Sequence, residues 1–168
     1  MSAQLPVGEY GFPGPLRDRL VAAILAGRKR TTTALLAEFE AGGEALPAPG
    51  DRELVVDSEG GPVCVTEVTG VRLLPLGEVG LEHAVGEGEG YESVAQWRAG
   101  HERFWRDAEY AAWFRSLGAP PPAVDEGTIV VCVRFEVIAP APGRELRTGG
   151  RGLAGWRPPG CRRRRRRG

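Results

Sequence analysis

The sequence predicts an α+β domain, a small barrel or curved sheet with helices at its rim. Three observations predict it. Valine-rich and alternating stretches such as PVCVTEVTGVRLLPL and TIVVCVRFEVI read as strands. Helix-spaced apolar positions with start and stop signals lie between them. From residue 144 onward, arginine, glycine and proline replace both patterns. The expected organisation is an N-terminal segment 1–14, one domain over 15–140, and a tail over 141–168.

Taken in order, Pro15 suits the first turn of a helix, and Leu16, Leu20, Ala23 and Ile24 fall on one face of it. Gly27 supplies the stop. A second helix is expected over 33–40, ended by Gly42 and Gly43. PAPGD reads as a turn, and 53–56 as a short strand. From Pro62 the chain reads as one long strand or a pair of strands. There Val63, Val65, Glu67 and Thr69 alternate against Cys64, Thr66 and Val68, as in a partly buried strand. A short helix is expected over 76–86. EGEG at 87–90 reads as a loop, because alternating glycines penalise both helix and strand. Ser93 with Gln96 forms a capping-box signature opening the longest helix. On that helix Val94, Trp97, His101, Phe104, Trp105, Ala108 and Ala112 share a face. After the prolines at 120–122, TIVVCVRFEVI has the apolar run of a central strand.

The totals narrow the function. Hydrophobic content of 42% and charged content of 26% are ordinary for a globular domain. No window approaches the roughly eighteen apolar residues of a membrane helix, and MSAQLPVGEYGF lacks the features of a signal peptide. The expected location is the cytoplasm, with no membrane partner. Cys64 and Cys132 each sit in a VCV run and read as small buried residues; with Cys161 their wide spacing fits neither a disulfide framework nor a zinc site. The formal net charge of zero hides an asymmetry. Residues 144–168 hold ten of the 22 basic residues and one acid, Glu145, so the body has twelve basic and 21 acidic residues, a net of −9. Such a body does not suit a general duplex binder, which neutralises many phosphates. The tail is too poor in apolar residues to repay its ordering entropy and is expected to be disordered. Its six consecutive arginines could hold RNA or another polyanion non-specifically.

Three constellations could carry chemistry. The first is Gly27-Arg28-Lys29-Arg30-Thr31-Thr32-Thr33, which contains the only lysine of the chain. A lysine beside two arginines offers a point charge for phosphate, or a base if its proton is made easier to lose. A threonine hydroxyl can donate, accept or attack. The bland reading is a basic helix end followed by a threonine cap; the P-loop spacing is absent. The second is HAVGEGEG, 83–90, where Glu87 and Glu89 could orient a lysine, act as a base or bind a divalent ion. Alternatively it is a solvated acidic loop. The third is WRAGHERFW, 97–105, where aromatics and arginines, Arg98 among them, could stack or hold bases. Core packing explains Trp97, His101 and Phe104 at least as well.

The order GxKxxT, a strand region, HAxxEGEG, SxxxWRxxHxxFW and a final VVCxRFEVI strand resembles the ASCH domain family in its longer bacterial form, over about residues 10 to 138. The resemblance implies a small PUA-like β-barrel with peripheral helices. It implies RNA, a nucleotide-sized fragment of it, or a modified nucleoside as partner. Two activities have precedent in the family. One is ribonuclease action on single-stranded RNA, for which Mn²⁺ or Mg²⁺ would be needed. The other is hydrolysis of N4-acetylcytidine by a Lys, a Thr and a Glu. Carried over by motif, those three are Lys29, Thr32 and Glu87, as catalytic residues. Arg28, Arg30, Glu89, Ser93 and Arg98 are then candidate substrate contacts. A non-catalytic RNA-binding regulator is the third possibility. Two positions depart from the family: Ala34 stands where the short branch has an arginine, and Tyr91 where the longer branch usually has an acid.

Overall fold

The structure is a computed structural model that describes residues 5–141. The expected disordered tail and Cys161 lie outside the described residues. The described chain runs β1 (Val7–Gly8), α1 (Pro15–Leu25), β2 (Thr31–Leu35), α2 (Leu36–Gly42), β3 (Arg52–Val56) and β4 (Pro62–Pro75). A 3₁₀ turn (Leu76–Glu78) follows, then α3 (Leu81–Gly86), α4 (Val94–Trp105), α5 (Ala108–Ser116) and β5 (Ile129–Pro140). The five strands form one sheet in the order β1-β3-β4-β5-β2.

The long antiparallel pair β4–β5 is the spine of the sheet, from Cys64 opposite Pro140 to Pro75 opposite Ile129. Its register shifts between Val65 and Thr66 and between Val68 and Gly70. Such bulges bend a strand and increase its twist, which curves the sheet. The stretch from Pro62 is thus one strand, not two. Its first residues, Val63 to Thr66, are buried on both faces. Cys64 and Cys132 are free and buried in β4 and β5, as expected. Leu20, Ile24, Leu35, Val55, Trp97, Tyr110 and Phe114 fill the core between sheet and helices.

Three expectations about elements are corrected. Residues 33–35 are strand, not helix: Thr31–Leu35 pairs antiparallel with Arg134–Val130, where β-branched threonines fit the pleated surface. The helix begins only at Leu36, and the Leu35 N–H donates to Glu38 Oε1 at 3.1 Å. The longest helix stops at Trp105 rather than continuing past Ala112. Asp107 accepts from the Glu109 N–H at 2.8 Å and caps a new helix, α5. Residues 76–86 divide into the 3₁₀ turn and α3, separated at Val79 and Gly80.

The start of α4 follows its signature with one change. Ser93 Oγ accepts from the Gln96 N–H at 3.2 Å, while Gln96 Oε1 reaches back to the Glu92 N–H at 2.8 Å rather than to Ser93.

Candidate functional site

Gly27 ends α1 with φ +69°, and the Arg28 and Lys29 N–H groups both donate to Ala23 O. This turn sends the Lys29 side chain inward, where it has no exposed surface. Its Nζ donates to Glu87 Oε2 at 2.9 Å and to the Glu87 carbonyl at 3.4 Å.

Glu87 is delivered by the loop after α3. That loop lies against the Lys29 turn: the Arg30 N–H donates to Gly86 O at 2.7 Å. At Gly88, φ +70°, an added Cβ would fall 2.6 Å from the Arg28 carbonyl carbon and the Lys29 nitrogen. The second glycine of GEGEG is therefore required by close approach as well as by its backbone angle.

Glu87 Oε1 accepts from Thr33 Oγ1 at 2.7 Å and from Trp97 Nε1 at 3.2 Å. His83 Nε2 lies 2.8 Å from Thr33 Oγ1. Because that hydroxyl donates to Glu87, it accepts from the His83 ring. His101 completes the shell. Its Nδ1 faces Trp97 O at 3.0 Å and its Nε2 faces Glu87 Oε1 at 3.4 Å. Both ring nitrogens thus point at acceptors, the arrangement of an imidazolium.

The electrostatics follow from these contacts. Burial by itself would raise the Glu87 carboxyl, but the Lys29 ammonium and then His101 outweigh it and hold Glu87 well below the ordinary carboxylate range. Burial opposes the charged His101, yet the Glu87 carboxylate keeps its pKa above the usual value. Glu89 is raised, by burial first and by the neighbouring Glu87 charge, with Lys29 opposing. Cys132, behind Thr33, is pushed up to about 12 by burial and by Glu87, which makes it an inert thiol.

Beside this cluster opens a cleft of about 370 Å³. Phe12, Leu16, Glu89, Tyr91, His101 and Phe104 line it. The exposed Arg19 and Arg103, with Asp107 and Glu109, form its rim. The Tyr91 ring rests over Gly100, where any Cβ would collide with the tyrosine hydroxyl. Phe104 stacks on Phe12 with centroids 6.2 Å apart.

The structure thus brings Lys29 and Glu87 into contact and sets Glu89 Oε1 3.9 Å from Lys29 Nζ. It does not bring Thr32 to them. Thr31 and Thr33 both bond toward α3 and its loop, so strand alternation turns Thr32 to the other face of β2. Thr33 occupies the place expected for Thr32. Arg28 and Arg30 are exposed. Ser93 is the cap of α4. Arg98 bonds Glu102 at 2.7 Å and Glu126 in close contact, away from the buried cluster. Residues missed as site members are Thr33, His83, Trp97 and His101. The i, i+4 spacings His83–Glu87 and Trp97–His101 were the available signal.

The donor set does not suit Mn²⁺ or Mg²⁺ at Glu87. Both its oxygens already accept from protein donors, and the Lys29 ammonium stands where a cation would bind. Among the described residues no group of three or more His, Cys, Asp or Glu side chains is placed to hold a metal. Also among them, no helix is long and apolar enough to cross a membrane.

Comparison with known proteins agrees with the fold. A solved structure of protein EF3133 from Enterococcus faecalis V583 superposes with a TM-score of 0.69 at 22% identity, over 83% of this chain and 80% of that one. The crystal structure of an ASCH domain from Lactobacillus crispatus JV V101 gives a TM-score of 0.59 at 28% identity, over 71% of this chain and 70% of that one. No curated protein sequence matches the chain. The sequence model of the ASCH domain matches residues 9–139, nearly the whole described body. With its five-stranded α+β sheet and flanking helices, the chain belongs to the ASCH domain family and has its PUA-like fold.

Proposed function

We propose that the protein binds single-stranded RNA, or a nucleoside-sized piece of it, by taking one base into the cleft beside the Lys29–Glu87 pair. The cleft carries this reading. Its volume of about 370 Å³ falls at the small end of ligand pockets and excludes a duplex. Phe12, Tyr91 and Phe104 offer ring faces for a base, and Arg19 and Arg103 stand at the rim for a phosphate. The net charge of −9 on the body favours a short ligand over a long polyanion. The PUA-like fold supports RNA as the ligand class, and the cytoplasm is the compartment that suits such a ligand. Lys29, with no exposed surface, holds the floor of the site in place instead of meeting phosphate.

The test uses neutral nucleosides, which an arginine-rich tail does not attract. Full-length protein is titrated with each nucleoside by calorimetry. Saturable binding that is lost in a Tyr91→Ala, Phe104→Ala double variant of unchanged circular dichroism is the expected result. Absence of any binding at millimolar nucleoside would sink the reading.

A hydrolytic version rests on the place of Glu89 in the cleft lining, 3.9 Å from Lys29, where burial raises its carboxyl. An acid that keeps its proton nearer neutrality can protonate a leaving group. For N4-acetylcytidine, water would add to the acetyl carbonyl and the C–N bond would break. The Glu89 proton would go to the departing amine. One proton of the added water would return to Glu89 and the other would leave to solvent, giving cytidine and acetate. The Lys29–Thr32 route lacks a shared face in this fold, so Glu89 is the group to test. Incubation with N4-acetylcytidine and with single-stranded RNA, each with and without EDTA, separates amide hydrolysis from metal-dependent ribonuclease action. Turnover that survives Glu89→Gln would exclude this version.

A further inference from the structure

We infer that Glu89 is the base-reading group of the cleft and that it selects guanine. The inference rests on the reading of the cleft as a nucleoside-binding site and adds the base edge that the site recognises. It stands as the alternative to the hydrolytic version, which takes a cytosine and uses protonated Glu89.

Of the acids that line the cleft, Glu89 is the half-buried one, whereas Asp107 and Glu109 are exposed at the rim. Glu87 has no exposed surface and both its oxygens are bonded. Asp107 stands at the rim and caps α5. Glu89 is held only loosely. Its Oε1 lies 3.9 Å from Lys29 Nζ and its Oε2 3.5 Å from the Tyr91 hydroxyl, and its side chain is 19% exposed. A carboxylate can accept about four hydrogen bonds, so both oxygens keep lone pairs for a ligand.

Two carboxylate oxygens side by side complement two parallel N–H donors side by side. Guanine presents such a pair on its Watson–Crick edge, N1–H and the N2 amino group. Adenine and cytosine place a ring-nitrogen lone pair beside their amino group. Uracil sets one N–H between two carbonyls. Each of these three turns at least one lone pair against a carboxylate oxygen, which is an unpaired and repulsive contact. Glu89 shares the cleft lining with the Tyr91 and Phe104 rings, so a base whose edge meets the carboxylate has aromatic faces within the same cleft. The rim arginines add a site for the phosphate of a guanylate residue in RNA.

The ionisation of Glu89 sets the pH dependence of this contact. The groups facing it are Arg19 from α1, Lys29 from the turn before β2, Glu87 and Tyr91 from the loop, and His101 from α4. Its carboxyl is raised, by burial first. Guanine binding, which needs the carboxylate, therefore weakens as pH falls through that raised value.

The experiment titrates the full-length protein calorimetrically at neutral pH with guanosine, inosine, adenosine, cytidine and uridine. Guanosine is expected to bind about tenfold or more tighter than adenosine, cytidine or uridine, with inosine, which lacks the amino group, in between. Glu89→Gln is expected to weaken guanosine about tenfold and flatten the ranking, at an unchanged melting temperature. No binding of any nucleoside overturns the nucleoside reading and the inference together. Binding without a guanosine preference, or a preference that survives Glu89→Gln, overturns the inference alone. The wild-type ranking decides the matter even if the variant fails to fold.

Discussion

Glu38 and Glu87 are both fully buried carboxyl groups, and their surroundings give them opposite ionisation. Glu38 Oε1 accepts from the Leu35 N–H and from the Tyr110 hydroxyl at 2.8 Å, while no partner meets Oε2. With no cation beside it, burial pushes this carboxyl well above its ordinary value. Glu87 suffers the same burial, but Lys29 at 2.9 Å and His101 at 3.4 Å outweigh it. A cation at contact distance, not the depth of burial, decides the direction in which each carboxyl is shifted. Glu38 caps α2 and pins α5, a structural task. Glu87 ties together the Lys29 turn, β2 and α4 beside the cleft.

The largest effect is expected from removing the cation. Lys29→Met should cost about 3–5 kcal/mol in urea unfolding, because it leaves a buried carboxylate without its main partner. Lys29→Met combined with Glu87→Met should recover much of that loss. A cost under about 1 kcal/mol for the single variant would show that the pair does not organise the site.

A smaller effect should separate the two glutamates by the sign of their pH dependence. The folded pKa of Glu87 is depressed, so its contribution is present above about pH 4.5 and is lost as pH falls through the lowered value. The folded pKa of Glu38 is raised, so its contribution is complete below about pH 4.5 and is lost as pH rises through the raised value. Glu38→Gln should therefore gain stability relative to wild type as pH rises above about 4.5, whereas the deficit of Glu87→Gln should stay constant above about pH 4.5 and shrink as pH falls below it. Parallel profiles for the two variants would erase the distinction. His101, raised by Glu87, behaves as a cation partner should: its contribution is present below about pH 6.5 and is lost as pH rises through its elevated value.

The smallest expected change is Tyr110→Phe, about 1 kcal/mol from one lost hydrogen bond to Glu38. Its effect on nucleoside binding should be small, since the variant keeps the ring that packs against Phe104 and the lost hydroxyl does not line the cleft.

Much of this molecule was legible in its sequence. Apolar alternation located β3, β4 and β5, Pro15 and Gly27 bounded α1, and motif order placed the chain in its family. The misread at 33–35 has a physical reason: strand pairing with β5 is a tertiary gain that local helix propensity does not register. Asp107 interrupts an apolar face that continues across the break, so periodicity alone ran α4 into α5. Lys29 and Glu87 were legible by residue type and motif. The choice of Thr33 over Thr32 was not, because a motif counts residues whereas a strand alternates faces. Trp97 and His101 read as core, and they are buried; what spacing could not reveal is that Glu87 sits against them.

The seam between the Lys29 turn and the loop after α3 carries one further consequence. Arg30 N–H to Gly86 O, Thr31 Oγ1 to His83 O, and the backbone approach at Gly88 join segments at least 52 residues apart within a few ångströms of one another. Lys29, with no exposed surface, lies behind this seam. Hydrogen–deuterium exchange at the Arg30 amide, which donates across it, therefore reports how often the seam opens, and its protection measures the free energy that holds the two segments together.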